Sequence, residues 1–193
     1  FDVNVYGPYR ITQAFAPLII ESKGRIVNIS SIAGINSGNL NGHYGMSKHA
    51  LEAFTDTLAL EMDRFDVKVI AVEPGPYATE AVKTLAKRFE ENAIWNENSA
   101  YKNELEGTKL LLDIVRSSDT TTKGPDDVAQ AVMLALFSES PKQRYLVVPN
   151  AQTARSTIGK AMQTMLQLNQ DQAYSMSRKE LIMMLDQELN KLD

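Results

Sequence analysis

This 193-residue chain contains no cysteine, two histidines and one tryptophan. Without cysteine there is no disulfide framework, no thiolate nucleophile and no sulfur ligand for zinc, and the two histidines make no His-rich metal spacing. No metal site is expected. No uninterrupted apolar stretch approaches the ~18–20 residues that would cross a bilayer, and the first residues do not read as a basic leader followed by an apolar run. Positive charge is not in excess either: Lys plus Arg total 20 against 24 Asp plus Glu, a formal charge of -4. That balance offers no basic surface to phosphate backbones, so nucleic acid is not an expected partner. The expectation is a cytoplasmic, untargeted protein whose length supports one domain with a substantial core.

What the chain does have is a strand-helix-strand rhythm. Phe1 to Ser22 places Val3, Ile11, Ala14, Phe15, Leu18 and Ile19 at helical spacings and predicts one amphipathic helix ended by Lys23-Gly24. Arg25 to Ile29 is short, apolar and β-branched, which predicts a buried strand. Turn formers fill Ser30 to Gly42, a helix follows from Tyr44 to about Phe65, and Val67 to Val72 predicts a second strand broken by Pro74-Gly75. Continuous rather than alternating apolar strands imply a parallel sheet covered on both faces, an α/β fold.

Beyond that lie a possible helix from Thr79 to Phe89, a polar excursion from Glu90 to Gly107 and a short apolar piece from Lys109 to Val115. A helix starting near Pro125 and a third strand from Tyr145 to Val148 follow. A helical extension covers 150–193, with Ser177 and Glu180 spaced as a capping box for its last helix. Residues 76–124 read as a lid or specificity insert. Its Trp95, Tyr101, Leu105 and Leu110 to Leu112 either line an apolar pocket or pack the insert onto the body. The mixed charges of the tail argue for packing or an interface rather than a membrane surface.

Tyr44 and Lys48 stand four apart on the second helix, so both side chains occupy one face about 5–6 Å apart at Cβ. A phenol titrates near pH 10, and bringing it to about 7 means favouring phenolate by roughly 4 kcal/mol. A neighbouring ammonium supplies much of that. Of the seven tyrosines, Tyr44 alone has lysine four residues on. Ser31, thirteen residues before Tyr44, falls at the carboxyl end of the first strand, where α/β sheets bind ligands, and its hydroxyl can orient a carbonyl oxygen. Tyr-x-x-x-Lys by itself is ordinary on a helix surface; the set of spacings is what points to acid/base chemistry on a substrate oxygen. His43 and His49 read as ordinary helix residues.

Asn28-Ile29-Ser30-Ser31, Tyr44-Gly45-Met46-Ser47-Lys48 and Pro74-Gly75-Pro76-Tyr77-Ala78-Thr79, in that order, resemble the short-chain dehydrogenase/reductase family from about Phe1 to Pro149. Arg144 to Pro149 with the helical tail is loosely similar to its 17β-hydroxysteroid and retinol dehydrogenase branch. The resemblance implies an NAD(P)-dependent interconversion of alcohol and carbonyl on a Rossmann-type sheet. Tyr44 would be the acid/base, Lys48 would also bind the nicotinamide ribose, and Ser31 would position substrate. Asn4, in Asp2-Val3-Asn4-Val5-Tyr6-Gly7, would support Lys48 through a water. Pro74, Gly75 and Thr79 would hold the nicotinamide half. The family's helices commonly mediate dimers, so a homo-oligomer is expected. A nicotinamide-dependent epimerase or dehydratase, or a non-catalytic nucleotide-binding scaffold, are the alternative readings.

The family's Gly-x-x-x-Gly-x-Gly loop, its adenosine-ribose residue and its Asn-Asn-Ala-Gly strand do not occur in this sequence. The chain is therefore expected to be a C-terminal part, one incomplete Rossmann-type domain over 1–193, with NAD and NADP both open as cofactor. Ile26, Val27 and Ile29 would then lie on an exposed apolar edge, an aggregation hazard. The prediction is that the 193-residue chain alone is poorly soluble or partly unfolded; monodisperse material with a cooperative thermal transition would contradict it.

Overall fold

Three strands, β1 (Arg25–Ile29), β2 (Lys68–Pro74) and β3 (Arg144–Val147), pair in parallel in the order β1-β2-β3 in the computed structural model. The structure describes residues 1–77, 79, 80, 84, 87, 91, 99–117 and 124–192, with the backbone alone over 110–117. β2 is central because its side chains are the ones that can be buried on both faces: from Val69 to Glu73 every residue is buried. The register sets Ile26 beside Val69 and Ile29 beside Val72, and on the other side Val72 beside Tyr145.

Helices cover both faces. On one, α1 (Gly7–Glu21) and α2 (Gly42–Asp63) bring Ile19, Ile20, Phe54, Leu58 and Met62 onto Ile26, Val67 and Val69. The residues of β2 that alternate with these, Ile70 and Val72, pack on the opposite face against Ala131 and Ala135. Those alanines belong to α4 (Asp126–Phe137), while α3 (Lys102–Ser117) precedes it in the chain. The doubly wound α/β arrangement expected from the sequence is present.

Several local expectations need correction. The first helix is not uniform: Asp2–Tyr6 form a π turn, with Tyr6 N–H donating to the Phe1 carbonyl at 3.2 Å, before α1 begins with Pro8 in its first turn. Lys23, at φ 48°, takes the left-handed conformation after α1, whereas no glycine has a positive φ among the described residues. The loop after β1 tightens into a 3-10 turn at Ile32–Gly34. β2 runs two residues past the expected Val72, because Glu73 and Pro74 stay paired with β3. The last residues of the polar excursion, from Lys102, join the apolar piece in one 16-residue helix, α3, while residues 90 and 92–98 of the excursion lie outside the described residues. Pro125 caps α4 rather than opening its first turn.

β1 has no strand on its outer side among the described residues. Its apolar side chains are nonetheless not all exposed: Ile29 is 45% exposed but Ile26 only 9%. Strand side chains project to the sheet faces, so a free edge bares backbone, and the covering helix still hides Ile26. In the extension, α5 (Ala151–Asn169) and α6 (Arg178–Leu189) leave Met162, Met165, Leu166, Met183, Met184 and Leu185 exposed. Local capping defines these helices. Asn150 accepts from Thr153 N–H, and Ser177 and Glu180 form the capping box anticipated from their spacing.

Ile70 is 1% exposed and sits where β2 meets α4. Ile70→Ala is expected to lower the unfolding free energy by about 2–5 kcal/mol, read as a lower urea midpoint at unchanged slope.

Candidate active site

The rotation of α2 about its own axis is set by a buried polar contact. Asn28 on β1 donates through Nδ2 to Thr55 Oγ1 at 2.9 Å, and Thr55 donates to the Leu51 carbonyl at 2.7 Å. With Leu51, Thr55 and Leu58 turned to the sheet, Tyr44 and Lys48 fall at the helix end that stands over the carboxyl ends of β1 and β2. Lys48 Nζ lies 5.8 Å from the centroid of the Tyr44 ring and donates to the Ile29 carbonyl at 2.9 Å. The two side chains thus meet on one face of α2. Burial pushes the Lys48 ammonium below its ordinary pKa, while the charge of Glu52, one turn further on, pushes it back up.

Ser31 lies two residues past the end of β1. Its Oγ accepts from Ala33 N–H at 3.1 Å, capping the Ile32–Gly34 turn, and lies 3.5 Å from the Pro74 carbonyl at the end of β2. Gly34 is required there for space: a Cβ would come 2.7 Å from Glu52 Cγ and 3.0 Å from Ser30 Oγ. Asn4 sits inside the π turn and donates to Ser47 Oγ at 3.0 Å, and Ser47 donates in turn to the Tyr44 carbonyl at 2.8 Å. Asn4 therefore reaches the first turn of α2 through Ser47, next to Lys48 in sequence, and both Asn4 and Lys48 line an open groove of about 440 Å³ beside β1.

Past β2, Gly75 N–H donates to the Val147 carbonyl at 2.7 Å, and a Cβ on Gly75 would meet Val148 Cγ1 at 3.0 Å. Thr79 is half-buried, four residues on. Tyr77 between them is buried and its hydroxyl donates to Asp127 on α4 at 3.3 Å, which pins this segment to the body. The structure thus gathers Ser31, Tyr44, Lys48, Pro74 and Gly75 at one end of the sheet. His49 shares a hydrogen bond with the Gly45 carbonyl of its own helix at 2.9 Å, in keeping with an ordinary helix residue. Trp95 lies outside the described residues, Tyr101 is exposed, and of Leu110 to Leu112 only the backbone is described. Among the described residues no cluster of His, Asp or Glu could hold a metal, and no helix is long and apolar enough to cross a membrane.

Sequence reasoning missed Ser47, Tyr77 and a buried ionic group. Arg144 on β3 donates to Glu52 and Asp56 of α2 and, at 2.6 Å, to Glu73 of β2. Glu52 and Glu73 are 7% and 2% exposed. A glutamate on the sheet-facing side of α2, and another closing an apolar strand, were the available signals, since carboxylates are almost never fully buried unless paired.

Residues 1–89 match the family model of short chain dehydrogenases. Over that stretch the chain is similar to that family. It is 35% identical over 156 residues to a mitochondrial D-beta-hydroxybutyrate dehydrogenase of Bos taurus, covering 75% of this chain and 44% of that protein. It is 34% identical over 150 residues to retinol dehydrogenase 16 of Rattus norvegicus, covering 75% and 46%. The chain thus spans about half the length of the relatives it matches. Among solved structures, a short-chain dehydrogenase from Streptomyces avermitilis superposes with TM-score 0.66 at 28% identity, over 87% of this chain and 57% of that one. One from Burkholderia phymatum, in complex with NAD, gives TM-score 0.59 at 26% identity, over 86% and 57%.

A lysine whose folded pKa is depressed binds fewer protons folded than unfolded, so its contribution is least favourable below the folded pKa and recovers as pH rises toward the ordinary 10.5. Lys48→Met is therefore expected to raise stability at neutral pH, with the gain over wild type closing as pH approaches that value. Urea unfolding of both proteins across pH 7 to roughly 10.4 tests this; a variant less stable at pH 7 would contradict it.

Proposed function

We propose that the full-length protein is an NAD(P)-dependent oxidoreductase interconverting an alcohol and a carbonyl. The observation that carries the reading is the half-buried Tyr44 with the Lys48 ammonium 5.8 Å from its ring, at the same sheet end as the Ser31 hydroxyl. In reduction Tyr44 gives its proton to the substrate oxygen, and in oxidation its phenolate takes that proton back. Lys48 stabilises the phenolate form, and Ser31 holds the substrate oxygen in line with the tyrosine. Asn4, through Ser47, fixes the turn of α2 that carries Tyr44.

The residues present fit a nicotinamide cofactor. Lys48 has three N–H donors and directs one to Ile29, which leaves donors for ribose hydroxyls. Gly75 lets the backbone after β2 lie close against Val148 and Pro149, where a Cβ would come 3.0 Å from Val148 Cγ1. Pro74, Gly75 and Thr79 would flank the nicotinamide half, and the cofactor would supply or accept the hydride. NAD and NADP both suit these residues.

The substrate is a small alcohol or carbonyl compound, and residues 76–124, with their apolar side chains, form the specificity insert that selects it, favouring an apolar one. The exposed Ile11, Phe15 and Leu18 of α1 support association of the full-length protein as a homo-oligomer. The cysteine-free composition is compatible with the cytoplasm.

Full-length enzyme is expected to oxidise NADH or NADPH in the presence of a carbonyl panel, and Tyr44→Phe to lower kcat about 10²–10⁴-fold with cofactor binding retained. A Tyr44→Phe variant as active as wild type would sink the assignment.

A further inference from the structure

We propose that Glu52 is a positioning residue for the reaction proposed above: a buried counter-charge that keeps Lys48 protonated beside Tyr44, itself held in place by Arg144. The observations are geometric. Tyr44, Lys48, Glu52 and Asp56 recur every four residues on α2, and so lie along one side of that helix. Glu52 is 7% exposed, and Arg144, from the far strand of the sheet, donates to one of its oxygens. The other oxygen, Oε1, is buried with no hydrogen-bond partner, as is Ser30 Oγ. Both atoms face the same point beside the α-carbon of Gly34, at 3.1 and 3.0 Å from where a Cβ would stand.

A carboxylate so placed adds little to stability. Burying an ion pair often costs more than an apolar contact of the same volume would, and an oxygen left without a partner adds to that cost. Its direct effect is on Lys48. Burial disfavours the ammonium, and the charge of Glu52 is what opposes that. Lys48 must be cationic at the pH at which Tyr44 is to ionise, or it gives the phenolate no support. Glu52 also repels a phenolate at Tyr44, but from two turns away, about 12 Å along the axis by helix geometry, against about 6 Å between neighbouring members. The nearer cation dominates because Coulomb energy falls with distance. Among the described residues, the ionisable groups facing this site are Tyr44, Lys48 and Asp56 on α2, Glu73 on β2 and Arg144 on β3. Glu73 is pushed above the usual carboxylate range, chiefly by burial, with its hydrogen bond to Arg144 pulling the other way.

The test reads Lys48 directly. Full-length protein carrying 13C-lysine is titrated by NMR, following the Cε resonance that Lys48→Arg removes. In Glu52→Gln, which keeps shape and an acceptor for Arg144, the Lys48 midpoint is expected to fall by about 0.5–2 pH units, the span of one charge at 6 Å between watery and protein-like screening. In Glu52→Asp, which keeps the charge but withdraws it by one methylene, the fall is smaller; should the glutamine variant not fold, this one carries the same direction. In turnover, the alkaline limb of the kcat profile of Glu52→Gln moves to lower pH while KM for the carbonyl changes less than threefold. An unmoved Lys48 midpoint in folded Glu52→Gln overturns the proposal, as does a fall in thermal stability with an unaltered pH profile, which would make Glu52 a structural strut. A lowered midpoint in a protein that turns over no carbonyl upholds the coupling and counts against the reaction alone.

Discussion

The hydrogen bond from Asn28 to Thr55 fixes which side of α2 meets the sheet, and most of the site depends on that choice. Both residues are buried, so leaving either amide or hydroxyl unpaired would cost about 1–3 kcal/mol. A rotation of α2 by one residue, about 100°, would break this bond and swing Tyr44 and Lys48 off the strand ends. The apolar contacts of Leu58 and Met62 with Ile26 and Val69 hold the helix down but tolerate sliding; the polar contact selects one setting. Lys48 to Ile29 then closes the same helix onto the same strand from the catalytic end.

A second constraint joins this helix to the opposite edge of the sheet. Arg144, on β3, reaches Glu73 of β2 and Glu52 and Asp56 of α2, so three elements from the two layers, sheet and helix, meet at one guanidinium. The planar fork of arginine can serve several carboxylates at once, which a lysine at that position would not do with fixed geometry. The site is consequently supported from both sides: from β1 through Asn28 and Ile29, and from β3 through Arg144.

Much of this was legible in the chain because the decisive signals are local. Tyr44 and Lys48 need only a helix and a spacing of four; Ser31 needs only to follow a strand; β1 was placed at its observed limits from five residues. What was not legible is nonlocal or backbone-made. Arg144 and Glu52 are 92 residues apart, and nothing in either neighbourhood announces the other. The π turn that aims Asn4 at Ser47 leaves no compositional trace in Asp2-Val3-Asn4-Val5-Tyr6. α3 was divided between a polar excursion and an apolar fragment because Gly107 interrupts it and its apolar residues cluster late; the Glu, Lys and Leu content of that segment is strongly helix-forming and was the better guide.

The extension that follows β3 carries a chemical liability of its own. Five of the eight methionines, Met162, Met165, Met176, Met183 and Met184, lie between Ala151 and Leu189, each between a third and a half exposed. In a chain without cysteine, thioethers are the readiest oxidation sites, and conversion to the sulfoxide turns a flexible apolar side chain into a polar, chiral one. The surface of α5 and α6 would change from oily to hydrophilic, and Met46, 63% exposed between Tyr44 and Lys48, is open to the same conversion. Oxidative wear in this molecule thus falls both on its extension and on the helix turn that carries Tyr44.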